Sequence, residues 1–261
     1  MEAISMPFFE NSSGVTIYFE TIGEGHPIIF IHPPLTGHVI FKYQKKLSEH
    51  FKVVLFDERG HGKSSYKPYS GNVLDTHVKD LKELVEFLKL KKPIIVGYSD
   101  GGLIGQLYAQ KFPNDLGALI LICGYPVVSS ITLALIYKFG IGCMKMNNKK
   151  LLSHLITFTH SVTEEDKKEL FDYMLKANNK AVLDLYCEGK GTNLLDQLST
   201  LNKLPILALY GMNDWYTKKH NKFFSRLEQS NVVLVEGATH QLPTRWHEEV
   251  NAAITHFLRN I

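Results

Sequence analysis

Residues 93–102, PIIVGYSDGG, decide the fold of this chain. An apolar run stops at a G-x-S-x-G pattern over 97–101, and a helix-like stretch, LIGQLYAQKF, follows at once. A serine held in this pattern between a strand and a helix is typical of a nucleophile elbow, whose sharp turn keeps the hydroxyl clear of the sheet. Glycines at 97 and 101 remove the side chains that would block so tight a turn. The stretch therefore predicts Ser99 as a nucleophile, with the backbone N–H of Asp100 facing a developing oxyanion at a helix start.

Strands and helices alternate on both sides of this elbow. Continuous apolar runs predict buried strands at 27–33, 52–57, 93–96, 116–123, 204–211 and 232–237. Helical patterns lie between and after them, at 39–49, 76–90, 103–112, 216–228 and 244–259. An alternating stretch at 14–22 predicts one or two antiparallel strands at a sheet edge. Repeats of this kind close into a mostly parallel sheet with helices on both faces, which is an α/β fold.

The alternation breaks once, over residues 127–200. This segment contains several helical stretches and no convincing buried strand. Thr163 to Asp166 resembles a capping box, which predicts the start of one of these helices. We therefore expect residues 1–126 and 201–261 to form an α/β core domain, and residues 127–200 to form an inserted helical cap.

The composition is that of an ordinary globular protein. The 261 residues are 44% hydrophobic and 21% charged, and the formal net charge is +3. Such a chain is long enough for one large α/β domain. A net charge this small gives no argument for a nucleic-acid partner or an anionic membrane.

Cysteine usage and the absence of apolar spans favour a cytoplasmic setting. Cys123, Cys143 and Cys187 are an odd number without C-x-x-C spacing, which argues against a disulfide framework or a zinc site. The first residues lack the basic and apolar regions of a signal peptide. The nearest candidate for a membrane span, 127–146, is interrupted by Lys138, two serines and two glycines, so we expect no membrane span.

Two polar residues stand where a serine nucleophile would need them. Asp214 follows the strand at 204–211, and His240 follows the strand at 232–237. Parallel strands bring their carboxyl ends to one edge of a sheet, so we expect both side chains near Ser99. A serine needs a base, and the base needs an orienting acid. The chain order Ser, Asp, His is the one that accompanies this kind of elbow.

These residues carry a resemblance to the α/β-hydrolase fold superfamily, in particular to small cofactor-independent serine esterases and lactonases. The matching motifs are His32 at a strand end, DERGHGKS at 57–64, GYSDG at 97–101, GMND at 211–214 and GATH at 237–240. The resemblance implies eight strands and a site without a cofactor. It also implies Ser99 as nucleophile, His240 as general base and acid, and Asp214 as the residue that orients His240.

One stretch departs from the family pattern. Where the family has His-Gly followed by a residue whose N–H completes the oxyanion hole, this chain has His32-Pro33-Pro34-Leu35. Proline has no N–H to donate. We therefore assign the second oxyanion donor to Leu35, beside Asp100. The loss of one such donor costs about 3–4 kcal/mol in the transition state, so a small-molecule receptor of the same fold stays open as an alternative.

The substrate-binding candidates are His32, Tyr98, Met144 and Phe158. For His32 the alternative is a structural role in orienting the oxyanion loop, by which we mean His32 to Leu35. For Tyr98 the alternative is that its ring packs beside the elbow without contacting a substrate. The apolar cap favours a small carboxylic ester or lactone, while amide, peptide or carbon–carbon hydrolysis by the same residues stays open. The scattered histidines give no metal-binding spacing. We expect a monomer or homodimer.

Overall fold

An eight-stranded sheet forms the centre of the molecule. The computed structural model describes residues 7–261. In chain order the strands are β1 (Phe8–Glu10), β2 (Thr16–Ile22), β3 (Pro27–Ile31), β4 (Lys52–Phe56), β5 (Ile94–Tyr98), β6 (Ala118–Ile122), β7 (Ile206–Gly211) and β8 (Ser230–Val235). Their spatial order is β1-β2-β4-β3-β5-β6-β7-β8. Strand β2 pairs antiparallel with both of its neighbours, β1 and β4. The remaining neighbours in the sheet, from β4 through β3, β5, β6 and β7 to β8, all pair in parallel. The predicted α/β fold with eight strands and an antiparallel edge is confirmed.

Helices lie on both faces of the sheet and between β6 and β7. The α-helices are α1 (Val73–Phe87), α2 (Gly101–Lys111), α3 (Ile131–Lys145), α4 (Lys149–His160), α5 (Glu164–Met174), α6 (Asn179–Gly191), α7 (Asn221–Phe224), α8 (Leu242–Arg245) and α9 (His247–Leu258). 3₁₀ helices occur at His38–Glu49, Leu195–Leu201 and Lys218–His220.

The core consists of two apolar layers, one on each face of the sheet. Successive side chains of a strand point to opposite faces. Thus Ile29 and Ile31 pack in the layer that contains α1 and α2. Ile28 and Phe30 pack in the layer that contains the 3₁₀ helix His38–Glu49 and α9. The inner strands are buried on both faces, which is why their sequences are continuous apolar runs.

Three predicted helices differ in form from the expectation. The segment predicted at 39–49 is a 3₁₀ helix with a non-helical residue at Phe41. The helix predicted at 216–228 is reduced to two brief turns, at Lys218–His220 and Asn221–Phe224. The helix predicted at 244–259 divides into α8 and α9 at Trp246, whose backbone is not helical.

Four helices, α3 to α6, lie between β6 and β7, and we call them the cap helices. The predicted capping box at the start of α5 is present, with the Thr163 hydroxyl and the Asp166 carboxylate each accepting the other residue's backbone N–H. Helix α5 is held to the sheet by the Tyr173 hydroxyl, which donates to Asp57 at 2.6 Å. The backbone N–H of Asn178 donates to Gly60 at 2.7 Å. The division of the chain into a core domain and a cap stays a prediction.

No helix within residues 7–261 combines the length and the apolar character needed to cross a bilayer.

Candidate active site

The turn after β5 holds Ser99 in a strained conformation. Its φ of 53° lies in the left-handed region, which is uncommon for a residue with a side chain. The turn is tight on both sides: a Cβ on Gly97 would lie 2.6 Å from the Cα of Gly102, and one on Gly101 would lie 2.4 Å from the Ile31 carbonyl oxygen. Only glycine fits at these two positions, so the sequence pattern has a direct steric cause. Strain of this kind is frequent at functional sites.

The structure brings Ser99, His240 and Asp214 together. The Nε2 atom of His240 lies 3.0 Å from the Ser99 hydroxyl oxygen, and its Nδ1 atom lies 3.0 Å from a carboxylate oxygen of Asp214. A carboxylate can only accept, so Nδ1 carries the proton and Nε2 is free to accept the proton of the serine. The three side chains come from the carboxyl ends of β5, β7 and β8, as parallel pairing dictates.

Asp214 is buried and well supplied with hydrogen-bond donors. It accepts from the backbone N–H of Tyr216 at 3.2 Å, from that of Thr217 at 3.0 Å, and from the Thr217 hydroxyl. Burial acts to raise the pKa of this carboxyl, but the charge and hydrogen bond of His240 together with the Thr217 donors hold the pKa well below its ordinary value. Asp214 therefore remains ionised and fixes the orientation of His240.

His240 is also fixed through its own backbone and ring. The buried Tyr98 hydroxyl lies 3.0 Å from the His240 carbonyl oxygen and 2.9 Å from Nε2 of His160 on α4. The ring of Tyr216 packs against the imidazole, with 4.4 Å between the centroids. Tyr98 thus connects a cap helix to the loop that carries His240.

The two backbone N–H groups expected to serve as oxyanion donors belong to Asp100 and Leu35. The N–H of Asp100 follows Ser99 directly at the N-terminus of α2. Leu35 has a left-handed φ of 79°, and within residues 7–261 its N–H donates to no protein acceptor. Pro33, Pro34 and Thr36, which flank it, all line the cavity above Ser99.

A small cavity of about 140 Å³ opens above Ser99. Its walls come from the oxyanion loop, the elbow and the cap helices. The aromatic and aliphatic residues that line it are Tyr98, Tyr125, Leu133, Ile136, Tyr137, Phe139, Leu152, Ile156, Tyr186 and Tyr216. The cavity is therefore mostly apolar, and Thr36, Asp100 and His160 line it together with Ser99 and His240.

Of the four substrate-binding candidates, Tyr98 lines this cavity and the other three do not. Met144 is buried in the layer between cap and sheet. Phe158 is 74% exposed on the outside of α4. Helix periodicity explains this correction, because Leu152, Ile156 and His160 occupy the cavity-facing side of α4 and Phe158 lies two residues beyond Ile156 on another side.

His32 is buried beneath the oxyanion loop rather than exposed to the cavity. Its Nε2 accepts the backbone N–H of Glu58 at 3.0 Å, and its Nδ1 therefore carries the proton that it donates to the Pro33 carbonyl at 3.0 Å. Both ring nitrogens are used within the protein. This geometry corrects the binding assignment and supports the alternative, a structural role in orienting the loop.

Asp100 belongs to a hydrogen-bonded network that sequence reasoning missed. Its carboxyl is bound by the Tyr137 hydroxyl of α3, and the Tyr137 and Tyr125 hydroxyls are 2.7 Å apart. Burial raises the pKa of Asp100 to about 7. Tyr125 stands just past the carboxyl end of β6, so the edge argument that located Asp214 could have found it. Tyr137 depends on how α3 packs, for which the sequence gives no signal.

The described residues contain two groups of potential metal-ligating atoms within 4.8 Å of one another. One includes Asp214 and His240, whose facing atoms are already paired with each other. The other joins His32, Glu58 and His61. Since both nitrogens of His32 are engaged, this second group offers two free ligands, which is fewer than a stable zinc site needs.

Comparison with known proteins agrees with this fold. Residues 26–242 match the family model of the alpha/beta hydrolase fold. Along 96% of its length the chain is 27% identical to the AB hydrolase superfamily protein YisY of Bacillus subtilis, of which it covers 98%. It is 23% identical to the bifunctional esterase/perhydrolase DCH of Acinetobacter calcoaceticus, over 98% of this chain and all of that one.

Among solved structures, the esterase EaEST of Exiguobacterium antarcticum superposes with a TM-score of 0.86 at 20% identity, over 97% of this chain and 98% of that one. The chain belongs to the alpha/beta hydrolase fold family. Its family and these relatives support a hydrolase activity.

Proposed function

We propose that this protein is a serine hydrolase that cleaves a small carboxylic ester or lactone through an acyl-enzyme on Ser99. The observation that carries the proposal is the continuous hydrogen-bonded line from Ser99 through His240 to Asp214, with about 3.0 Å at each step. The esterase names of the relative from Acinetobacter and of the Exiguobacterium structure support the same class of substrate.

In the first step Ser99 attacks the carbonyl carbon while His240 Nε2 takes its proton. Asp214 stabilises the resulting imidazolium, and the N–H groups of Asp100 and Leu35 bind the tetrahedral oxyanion. His240 then gives the proton to the leaving alcohol. A water molecule attacks the acyl-enzyme with His240 again as base, which releases the acid and restores Ser99.

The size and walls of the cavity favour a short or compact acyl group. A volume of about 140 Å³ is below the range of about 300–1,000 Å³ that pockets for drug-sized ligands have. We propose that residues 127–200 act as a cap, because α3, α4 and α6 supply much of the apolar wall. No cofactor enters this mechanism, and the reaction needs a single small-molecule partner besides water.

Turnover of a p-nitrophenyl ester series from acetate to octanoate tests this proposal. Ser99→Ala should lower kcat by about 10⁴- to 10⁶-fold, and the wild type should prefer the short esters. Ser225→Ala, an exposed serine far from the elbow, is the matched control and should leave kcat unchanged.

Activity that survives in Ser99→Ala would disprove the mechanism. A folded wild type that binds esters without turnover would instead favour the receptor alternative, in which the proline-containing loop makes a poor oxyanion hole.

A further inference from the structure

The outer surface of the first two cap helices is unusually apolar. On α3, Ile131, Leu135 and Phe139 are exposed and follow one another at helical spacing, and Ile131 is 81% exposed. On α4, Leu151, Leu155 and Phe158 form a similar stripe. Residues three or four apart lie on the same side of a helix. We call these two stripes, with Met146 and Val162, the apolar face.

The apolar face adjoins the entrance of the active-site cavity. Ile136 and Phe139 of α3 are exposed and also line the cavity, and Ile156 of α4 lines it from the other side. Trp215, 65% exposed, lies beside the cavity residue Tyr216, with 5.2 Å between the ring centroids. A cluster of exposed large apolar side chains marks an interaction site, whereas single exposed ones are ordinary.

The charges of the same segment have one sign. Residues 127–162 contain four lysines and no aspartate or glutamate. Lys138, Lys145 and Lys150 are exposed, and the net charge of +3 for the whole chain conceals this local excess. Acidic residues resume at Glu164, where Lys167 pairs with Glu164 and Lys42 pairs with Glu169.

We propose that the apolar face binds the surface of an anionic lipid bilayer, with the entrance of the cavity turned toward the lipid. Apolar side chains on a helix that lies in a membrane interface enter the boundary between headgroups and acyl chains, while lysines remain among the phosphates. A basic, apolar face matches this partner in both respects. If the site acts on esters as proposed above, apolar substrates dissolved in the bilayer reach Ser99 directly.

A second copy of this chain suits the face less well. A symmetric dimer places the same surface patch on both sides of the interface. Lysines 138, 145 and 150 of one copy would then lie close to those of the other, with no acidic residue in 127–162 to pair with them. The charge pattern therefore favours an anionic lipid over self-association.

Co-sedimentation with large unilamellar vesicles tests the proposal. The full chain should bind vesicles that contain phosphatidylglycerol, bind vesicles of pure phosphatidylcholine much less, and be released by added salt. Ile131→Ser/Phe158→Ser should lower the partition coefficient by about 10-fold or more, since each change removes a large buried apolar group from the bound state. Lys138→Glu/Lys150→Glu should lower it by about 10-fold or more on anionic vesicles.

Matched controls lie outside the apolar face. Lys91→Glu/Lys203→Glu reverses two exposed charges just before β5 and β7, and Leu234→Ser removes an exposed apolar residue of β8. These variants should bind as the wild type does. Thermal unfolding confirms that each variant is folded.

Absence of wild-type binding to anionic vesicles would overturn the proposal, as would equal losses in the control variants. A dimer that Ile131→Ser/Phe158→Ser dissociates, without vesicle binding, would assign the face to self-association instead. Ser99→Ala should bind vesicles normally, so a failure of the esterase proposal is distinguishable from a failure of this one.

Discussion

The substitution Asp214→Asn tests whether the Asp214 carboxylate orients His240, apart from any contribution that it makes to folding. One carboxylate oxygen receives the His240 Nδ1–H and the Thr217 hydroxyl, and the other receives the backbone N–H groups of Tyr216 and Thr217. An asparagine has one oxygen and one NH₂ group to put in these places. The backbone N–H groups cannot move, so we expect the amide oxygen to face them and the NH₂ group to face His240.

This orientation forces the wrong tautomer on the histidine. Nδ1 must then accept from the asparagine, so the ring proton moves to Nε2, which can no longer accept the proton of Ser99. In a serine protease the corresponding change lowers kcat by about 10⁴-fold, which equals about 5 kcal/mol of activation free energy. We expect a similar loss here, measured as kcat on p-nitrophenyl acetate near neutral pH.

The control is Asp172→Asn, an exposed aspartate on α5. It should keep wild-type kcat, and circular dichroism should show that both variants are folded. If Asp214→Asn keeps kcat within about 10-fold of the wild type, the orienting role assigned to Asp214 is refuted, whatever happens to stability.

Two further predictions concern buried polar groups of the loop that follows β4. Arg59 and Asp80 form a buried ion pair; Arg59→Met should lower the free energy of unfolding in urea by about 3–5 kcal/mol, and Arg59→Met/Asp80→Leu by less, because no lone charge remains buried. Burial raises the pKa of Glu58 from its ordinary 4.5 to about 7. The contribution of Glu58 to the free energy of unfolding is thus full at low pH and is lost as the pH rises through about 7. The free energy of unfolding of Glu58→Gln, measured by chemical unfolding, should therefore rise relative to that of the wild type by up to about 3 kcal/mol as the pH is raised from about 4 to about 8. A larger loss in the double variant, or a relative gain for Glu58→Gln that is independent of pH, would contradict these two assignments.

Much of the fold could be predicted because it rests on local patterns. Buried parallel strands require continuous apolar runs, and the elbow requires glycines where Gly97 and Gly101 approach neighbouring backbone. The positions of Asp214 and His240 followed from sheet topology alone, since the carboxyl ends of neighbouring parallel strands meet at one edge. These features depend on nearby residues or on a general rule of pairing.

The walls of the cavity could not be predicted in the same way. Phe158 and Met144 have the right chemistry for a pocket, yet one faces solvent and the other packs in the core. Which side of a cap helix faces Ser99 depends on how four helices pack over the sheet. Tyr137, which reaches Asp100 from α3, is a result of that packing, and no spacing in the sequence indicates it.

The oxyanion loop shows how the departure from the family pattern can still leave a donor. The Thr36 N–H bonds the Pro33 carbonyl at 3.4 Å, and Leu35 between them has a φ of 79°, features of a type II turn with proline in its second position. The same carbonyl also accepts from the Thr36 hydroxyl and from His32, both at 3.0 Å. In such a turn the N–H of the third residue is not used internally, so Leu35 keeps its donor free. A leucine in the left-handed region costs about 1–2 kcal/mol of conformational free energy. The three hydrogen bonds to the Pro33 carbonyl offset this cost. In the proposed mechanism, the two prolines fix the loop and the second oxyanion donor is the N–H of Leu35, the first residue after them.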